Sequence, residues 1–372
     1  MKTPRPRRLS SRLPTVRRDA LFITRQRTKE TTRRVARKTR FMLKKLAVAS
    51  VKLALIAALF YFLSVRALRG SAFAELRVDA RSVLFLAAGC LFNLIATVIT
   101  IVRWRALIQA LDAPLKLVDA LRYGFLGFAF NLSPLGVVGG DATKIVLVAK
   151  KTLISADAAT ASVVVDRFIG LYAMFALGLC VIFASGFYAS PEPLARFTTQ
   201  GLSALTLAST AFFICVVLPP SATRRREKIA GSVPFIGPLL QKATAATLLY
   251  RRRKSTLLKA FAATLVVHSL FAVSLYCFAT ALYRDVPSLL DHFVLYCSAN
   301  VGSTIPLSAG PFEYFLDELY PLFNSDPTSA FSAGYGATIG VVYRLASVGV
   351  AALGVVYYLA TRRRSQIAVK KR

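Results

Sequence analysis

Long apolar stretches alternate along this chain with short polar and basic connections. About 20 consecutive apolar residues are enough for a helix to cross the hydrocarbon core of a bilayer. Six stretches have this length and predict full spans: 46–65, 82–102, 160–185, 201–218, 257–282 and 332–360. Because the runs are continuous and do not alternate apolar with polar residues, the pattern excludes a transmembrane barrel and predicts an all-α, polytopic membrane protein.

Two further apolar stretches, 115–150 and 289–323, are interrupted near their midpoints by Pro and Gly. Each predicts a broken, re-entrant helical hairpin that enters and leaves the membrane by one face. The first has basic residues on both flanks, so we expect it to dip in from the cytoplasm. The second lies between Arg284 and Arg344, where the sequence has no Lys or Arg, so we expect it to dip in from outside.

The order span, hairpin, span therefore occurs twice with reversed polarity, in residues 82–185 and 257–360. This order predicts an inverted repeat within one helical membrane domain, residues 46–361. A basic tail, 1–45, precedes the domain and a basic end, 362–372, follows it. Since a broken helix is tolerated only where it is packed in protein or lines a cavity, we expect the two hairpin tips to meet near the middle of the membrane.

The charge of the chain is strongly positive, with 49 Lys and Arg against 17 Asp and Glu, a formal net charge of +32. The basic residues concentrate at span ends and in the tail, which predicts cytoplasmic termini and attraction to anionic lipid head groups. No nucleic-acid-binding pattern accompanies them, so we expect membrane lipids and no nucleic acid as partners. We expect the tail to be disordered or adsorbed to the membrane, and the protein to lie in a bacterial inner membrane.

The five cysteines all lie within apolar runs without paired spacing, which favours small core residues over disulfides or metal ligands. Only two histidines are present, His268 and His292, and these are too few for a histidine-based metal site. We therefore expect no metal and no cofactor.

Polar residues recur in the same order around the two hairpins, and these are the candidate residues for binding a lipid head group or an ion. In each half an Asn and a Pro come first, then glycine and a carboxylate, and then an arginine inside an apolar span. The first set is Asn131, Pro134, Gly139, Gly140, Asp141, Asp166 and Arg167. The second set is Asn300, Pro306, Gly310, Glu313 and Arg344.

The residues at each tip predict where the second helix of the hairpin begins. Pro134 and the glycines after it should end the entering helix, and Asp141 should cap the next one. In the second hairpin Gly310 should be the cap, with Pro311 at the first helical position and Glu313 in the first turn. Capping of their own helices is one role for the two carboxylates, and pairing with a cation is the other.

Arg167 and Arg344 lie too far inside their spans for the guanidinium to reach water easily. Each needs a carboxylate, backbone carbonyls or a lipid phosphate. Two interpretations stay open from the residues alone: structural ion pairs of Asp141 with Arg167 and of Glu313 with Arg344, or head-group binding. Both interpretations hold if an ion pair opens when the lipid head group binds.

Four motifs make the chain resemble the flippase-like membrane domain of the lysylphosphatidylglycerol synthase (multiple peptide resistance factor) family. They are Arg103-Trp104-Arg105, Asn131-Leu-Ser-Pro-Leu-Gly-Val-Val-Gly-Gly-Asp141, Asp166-Arg167-Phe-Ile-Gly-Leu and Pro306-Leu-Ser-Ala-Gly-Pro-Phe-Glu313 with Arg344. The resemblance covers about residues 45–360. The family more often has Glu where this chain has Asp166. The resemblance implies movement of phospholipids or related lipids between leaflets. Since no soluble synthase domain follows Arg364, we expect no aminoacyl transfer to lipid.

The leading hypothesis is a flippase-like protein that binds or translocates an anionic lipid without ATP hydrolysis, since no phosphate-binding loop is present. The alternative is an ion-coupled secondary transporter of a small molecule that uses Asp141 and Glu313. A lipid-modifying transferase comes third, because no catalytic constellation is visible, and we expect no enzymatic activity.

Overall fold

The helices of this protein are seen in a computed structural model. It describes Val48 and residues 50–69, 72–77, 79–133, 136–217, 249–302, 307, 309–323 and 333–370, and none of these residues lies in a strand. The chain divides into two compact units, Met1–Ala54 and Leu55–Arg372. Of the first, only Val48 and residues 50–54 are described, and the packing reported below belongs to the second.

Ten α-helices of nine or more residues account for most of the described residues. In chain order they are α1 Ser50–Arg69, α2 Ala80–Gln109, α3 Leu117–Asn131, α4 Gly136–Thr152, α5 Ala156–Ala184, α6 Pro193–Val217, α7 Lys254–Leu282, α8 Leu289–Val301, α9 Pro311–Leu319 and α10 Tyr335–Lys370. Side-chain caps begin several of them: Asp79 accepts from the Ser82 N–H ahead of α2, and Ser288 and Asp291 form a capping box at α8. The Ser82 hydrogen bonds hold the pKa of Asp79 below its usual value.

Five of the described helices are long and apolar enough to cross a membrane: α1, α2, α5, α7 and α10. They coincide with five of the six spans predicted from the sequence. The sixth, 201–218, coincides with α6 as far as Val217, beyond which the chain lies outside the described residues. The all-helical, polytopic membrane class is confirmed.

Helix α10 continues to Lys370, ten residues beyond the predicted end of the last span. The sequence pattern marks where the apolar residues end, but arginine and lysine are good helix formers, so the backbone stays helical through the basic end. The tail, 1–45, lies outside the described residues.

Both interrupted stretches form a pair of helices that pack on each other, α3 with α4 and α8 with α9. The packing of the two halves then corresponds helix by helix. In the first half α2 contacts α3, α4 contacts α5, and α3 contacts α10; in the second α7 contacts α8, α9 contacts α10, and α8 contacts α5. Helices α2 and α7, which hold equivalent places, form the most extensive interface.

Each hairpin is packed in its own apolar core. One core has α2, α3, α4 and α5 around Trp104, Phe125 and Val148. The larger one has α5, α7, α8, α9 and α10 around Phe278, Leu295 and Phe312. The hairpins are therefore held by protein, as broken helices in a membrane have to be.

Close contact between α9 and α10 depends on Gly336. A Cβ atom on Gly336 would lie 2.6 Å from Asp317 Cα and would overlap the Leu316 carbonyl, so only backbone movement could admit it. Gly349, on the same helix, has open space where its Cβ would stand.

Gly336→Ala should therefore separate α9 from α10 and lower the free energy of unfolding by about 1–3 kcal/mol. Gly349→Ala is the matched control and should leave stability unchanged or slightly higher, because alanine favours the helix. Thermal unfolding midpoints of the two purified variants in detergent measure the difference. Equal midpoints would contradict the close contact.

Candidate functional site

The first polar cluster is built around a two-point ion pair between α4 and α5. The Arg167 guanidinium donates from Nη2 to Asp141 Oδ1 at 2.7 Å and from Nε to Asp141 Oδ2 at 3.1 Å. The pair is only partly enclosed, since the Arg167 side chain is 39% exposed and the Asp141 side chain 18%. A guanidinium held in this way presents the geometry that also suits a phosphate.

The expected capping role of Asp141 is wrong. Helix α4 begins at Gly136, which has a φ of +59°, so Asp141 lies in the second turn. The sequence suggested a later start because Gly139 and Gly140 are usually breakers. Here Gly140 is inside the helix, where a side chain would overlap the Gly127 carbonyl and Asn131 of α3. The glycine thus permits the close approach of α3 and α4 and does not end a helix.

The second cluster repeats the ion pair between α9 and α10. Arg344 Nε donates to Glu313 Oε1 at 2.7 Å, and Glu313 is fully buried. The other carboxylate oxygen, Oε2, accepts the Gly310 N–H at 2.8 Å, so Glu313 caps its own helix and binds the arginine at once. Gly310 has a φ of +106° and precedes Pro311 at the first helical position, as the sequence predicts.

Asp166 belongs to a third ion pair, whose cation the sequence analysis missed. Arg103 of α2 donates to Asp166 Oδ1 at 2.9 Å and also to the Thr264 hydroxyl of α7, and both charged side chains are buried. The sequence marks Arg103 as part of the Arg103-Trp104-Arg105 motif but does not indicate its partner. Adjacent residues on a helix do not face each other, so Asp166 could not pair with Arg167, and this was the available signal for a second cation.

Lys144 is a further cation, which the sequence pattern does not distinguish from the other basic residues near span ends. It is buried, 7% exposed, and its ammonium lies 5.4 Å from the centre of the Trp104 ring. A cation over an indole ring is stabilised by the ring quadrupole, more so away from water. The stem of Lys144 crosses Gly127, where a Cβ would lie 2.8 Å from Lys144 Cγ.

A polar bridge of His268 and Tyr296 lies between the two clusters. His268 Nε2 lies 3.1 Å from the carbonyl of Gly170, one turn beyond Arg167, and His268 Nδ1 lies 3.2 Å from the Tyr296 hydroxyl. Since a carbonyl only accepts, Nε2 carries the proton and Nδ1 accepts from Tyr296. The rings of Tyr296 and Tyr343 are 6.5 Å apart, and Tyr343 precedes Arg344. His268 and Tyr296 thus link the backbone of α5 to α8 by hydrogen bonds, and the Tyr296 ring lies beside Tyr343 of α10.

The remaining candidate residues lie at the hairpin breaks or outside the described part. Asn131 is the last residue of α3, and its Oδ1 is buried with no hydrogen-bond partner among the described residues. Asn300 lies near the end of α8 and donates to the Tyr296 carbonyl at 3.0 Å. Pro134 and Pro306 lie outside the described residues. The ion pairs expected from the sequence are therefore present, whereas a pocket shared by both tips stays a prediction.

The described residues contain no group of three or more His, Cys, Asp and Glu side chains placed to hold a metal ion. What the site offers is three guanidinium or ammonium groups near Asp141 and one near Glu313, inside a bundle of apolar helices. Such groups can bind, exchange and release an oxyanion.

Comparison with protein families gives a match over most of the chain. The model of the lysylphosphatidylglycerol synthase TM region matches residues 48–364, which is most of the chain. None of the curated proteins compared with the chain matches it. The matched range includes both hairpins and all three ion pairs.

Asp166→Asn should leave the Arg103 guanidinium buried without its carboxylate and reduce the free energy of unfolding by about 3–5 kcal/mol. Asp157→Asn, an exposed change in the first turn of the same helix, should reduce it by about 1 kcal/mol or less. Thermal or denaturant unfolding of the purified variants measures both. A shift for Asp166→Asn no larger than for Asp157→Asn would show that the third ion pair is not structural.

Proposed function

This chain belongs to the lysylphosphatidylglycerol synthase transmembrane-region family, and on that premise we propose that it moves an anionic phospholipid, or a related anionic lipid, between leaflets without hydrolysing ATP. It is an integral membrane protein. The observation that carries the proposal is the partly exposed, two-point Arg167–Asp141 pair in an apolar bundle, with a second pair, Arg344–Glu313, in the other half and a polar bridge between them.

The proposed chemistry is an exchange of partners. A head group that enters the bilayer carries a phosphate that has lost water, and a charge at the centre of the bilayer costs roughly 3 kcal/mol or more unless it is paired. A phosphodiester offers the guanidinium the same two-oxygen geometry as a carboxylate. Replacing Asp141 by the phosphate on Arg167 would therefore keep the arginine paired while it stabilises the head group.

The second pair supports a route across the membrane. Arg344 is the equivalent arginine of the reversed half, and its side chain is 24% exposed. In the proposed mechanism the head group passes from one arginine to the other along the His268, Tyr296 and Tyr343 side chains. The acyl chains stay outside the protein, in the surrounding lipid, and so remain in an apolar environment.

The energy for this step would come from the lipid or ion gradients, since the sequence has no phosphate-binding loop ending in Lys-Ser or Lys-Thr. We propose transport and no catalysis by this membrane domain.

The alternative is transport of a small molecule coupled to an ion. The His268–Tyr296 hydrogen bond supports this alternative, because imidazole and phenol groups can relay a proton between the two halves. That function predicts a flux of protons or sodium that depends on the solute and that lipid head groups do not inhibit.

Reconstitution tests the main proposal. We expect vesicles that contain the protein to expose a fluorescent anionic phospholipid of the inner leaflet to an external quencher faster than empty vesicles do. Arg167→Gln should slow this by at least about tenfold, because the loss of a charge-assisted bidentate contact is worth 1.5–3 kcal/mol. Arg196→Gln removes an exposed arginine of α6 and should leave the rate unchanged.

Equal rates in empty and loaded vesicles, across anionic and zwitterionic head groups, would end the lipid proposal. A solute-dependent proton or sodium flux in the same vesicles would replace it with the alternative. The unfolding midpoint of Arg167→Gln shows whether a slow rate reflects lost binding or lost structure.

We further propose that both termini face the cytoplasm of a bacterial inner membrane, because the basic connections should stay on that side. In this topology the connection before α3 is cytoplasmic and the one before α6 is external. Both Lys116 and Glu192 are exposed in these connections.

Labelling with a membrane-impermeant thiol reagent checks the orientation. Glu192→Cys should react in intact cells, and Lys116→Cys only after permeabilisation. The parent chain supplies the background from its own cysteines, of which Cys90 and Cys180 are exposed. The reverse pattern would invert the proposed topology.

A further inference from the structure

The cluster around Asp141 carries one more positive charge than negative charge. Arg103, Lys144 and Arg167 are its cations, and Asp141 and Asp166 are its carboxylates. Lys144 lies within electrostatic range of the other four. Inside an apolar bundle an unbalanced charge is costly, so the arrangement favours the presence of one further anion.

Both carboxylates already have a partner other than Lys144. Asp141 binds Arg167 at two points, and Asp166 binds Arg103. Among the described residues, no carboxylate lies within ion-pair distance of the Lys144 ammonium. The excess charge is therefore localised on Lys144, and its visible stabilisation is the Trp104 ring.

Trp104 supplies a second, independent sign of a missing acceptor. The residue is fully buried, and its indole N–H has no hydrogen-bond partner among the described residues. A buried donor without an acceptor costs about 1–3 kcal/mol. The Lys144 ammonium and a buried indole N–H without an acceptor thus belong to neighbouring side chains between α2 and α4.

The second half lacks this feature. Lys144 lies three residues after Asp141, and the third residue after Glu313 is Leu316. Asp166 directly precedes Arg167, and the residue that directly precedes Arg344 is Tyr343. Glu313 and Arg344 then balance each other. The excess positive charge is specific to the first half of the repeat.

We propose that Lys144 and Trp104, beside Arg167, form a binding site for one phosphate oxyanion, and that its occupant is the phosphodiester of a phospholipid with a net charge of −1. This inference rests on the proposed function, because it names the class of lipid that the same region takes. A head group with one net negative charge neutralises the cluster. A zwitterionic head group brings its own ammonium and leaves the excess charge in place.

Partial exposure of the ion pair gives the ligand a way in. The Arg167 and Asp141 side chains are partly exposed, whereas Lys144 and Trp104 are buried. The phosphate would contact Arg167 first and Lys144 when it is fully bound. Lys144 is then the residue that distinguishes an anionic from a zwitterionic lipid.

The chain carries its own probe for this site, since Trp104 is its one tryptophan. Short-chain phosphatidylglycerol titrated into the full-length protein in neutral detergent should change the Trp104 fluorescence in a saturable way. Phosphatidylcholine of the same chain length should need at least about ten times the concentration. Inorganic phosphate separates a lipid from a soluble anion as the occupant: saturation by phosphate at the same concentration as phosphatidylglycerol would overturn the lipid assignment.

Lys144→Met should weaken phosphatidylglycerol binding at least tenfold, which corresponds to about 1.4 kcal/mol, and should leave phosphatidylcholine binding unchanged. Lys144→Arg keeps the charge and should keep the preference for phosphatidylglycerol. Lys150→Met, an exposed change on the same helix, is the matched control and should behave as the parent does. Saturation of Lys144→Met at the parent's concentration, or equal binding of the two lipids by the parent, would overturn the proposal.

Gly127→Ala covers the case in which Lys144→Met fails to fold. It removes no charge, but its Cβ would displace the Lys144 stem, so phosphatidylglycerol binding should weaken several-fold. Unchanged binding by this folded variant would count against the site. The two proposals can be distinguished. If lipid binding depends on Lys144 but no lipid is translocated, the binding site stands and the proposed function is wrong. If lipid is translocated but binding does not depend on Lys144, the proposed function stands and the binding site is wrong.

Discussion

The pairing of charges inside an apolar bundle is the constraint on which this structure depends. Arg103, Arg167 and Arg344 each lie on a helix that is apolar enough to cross a membrane, and each has a carboxylate from another helix within 3 Å. Arg103 is the most deeply buried of the three, and without its partner the charge would cost several kcal/mol. The positions of α4 and α9 against α5 and α10 follow from this requirement, because these hairpin helices bring Asp141 and Glu313 to the arginines.

Glycine makes the charge pairing geometrically possible. Gly140 lets α4 lie close to α3, and Gly340 lies against Glu313, where a Cβ would stand 3.1 Å from Glu313 Cγ. Within a membrane the hydrophobic effect does not drive helices together, and small residues at helix contacts let the backbones pack closely. The same glycines that look like helix breakers in the sequence therefore serve as contact residues, and only Gly136 and Gly310 at the hairpin breaks need a positive φ.

The two halves share a plan but differ in chemistry. Both have a broken hairpin, a carboxylate in its second helix and an arginine in the next span. The first half adds Arg103, Asp166 and Lys144, and its ion pair at Arg167 is the more exposed one. In the second half Glu313 is fully buried and also caps its helix. A repeat with unequal halves can hold a ligand differently on each side.

The sequence by itself determined the membrane class, the positions of the spans and the two interrupted hairpins, and it offered the Asp141–Arg167 and Glu313–Arg344 pairs as one of two interpretations. These follow from apolar length, from helix-breaking residues and from the cost of a lone charge in lipid, all of which are local properties of the chain. The tertiary structure alone decided that Asp141 lies in the second turn of α4, that Arg103 pairs with Asp166 across 63 positions, and that Lys144 lies over Trp104. Those contacts join residues from different helices, and hydropathy along one helix carries no information about which distant side chain will face it.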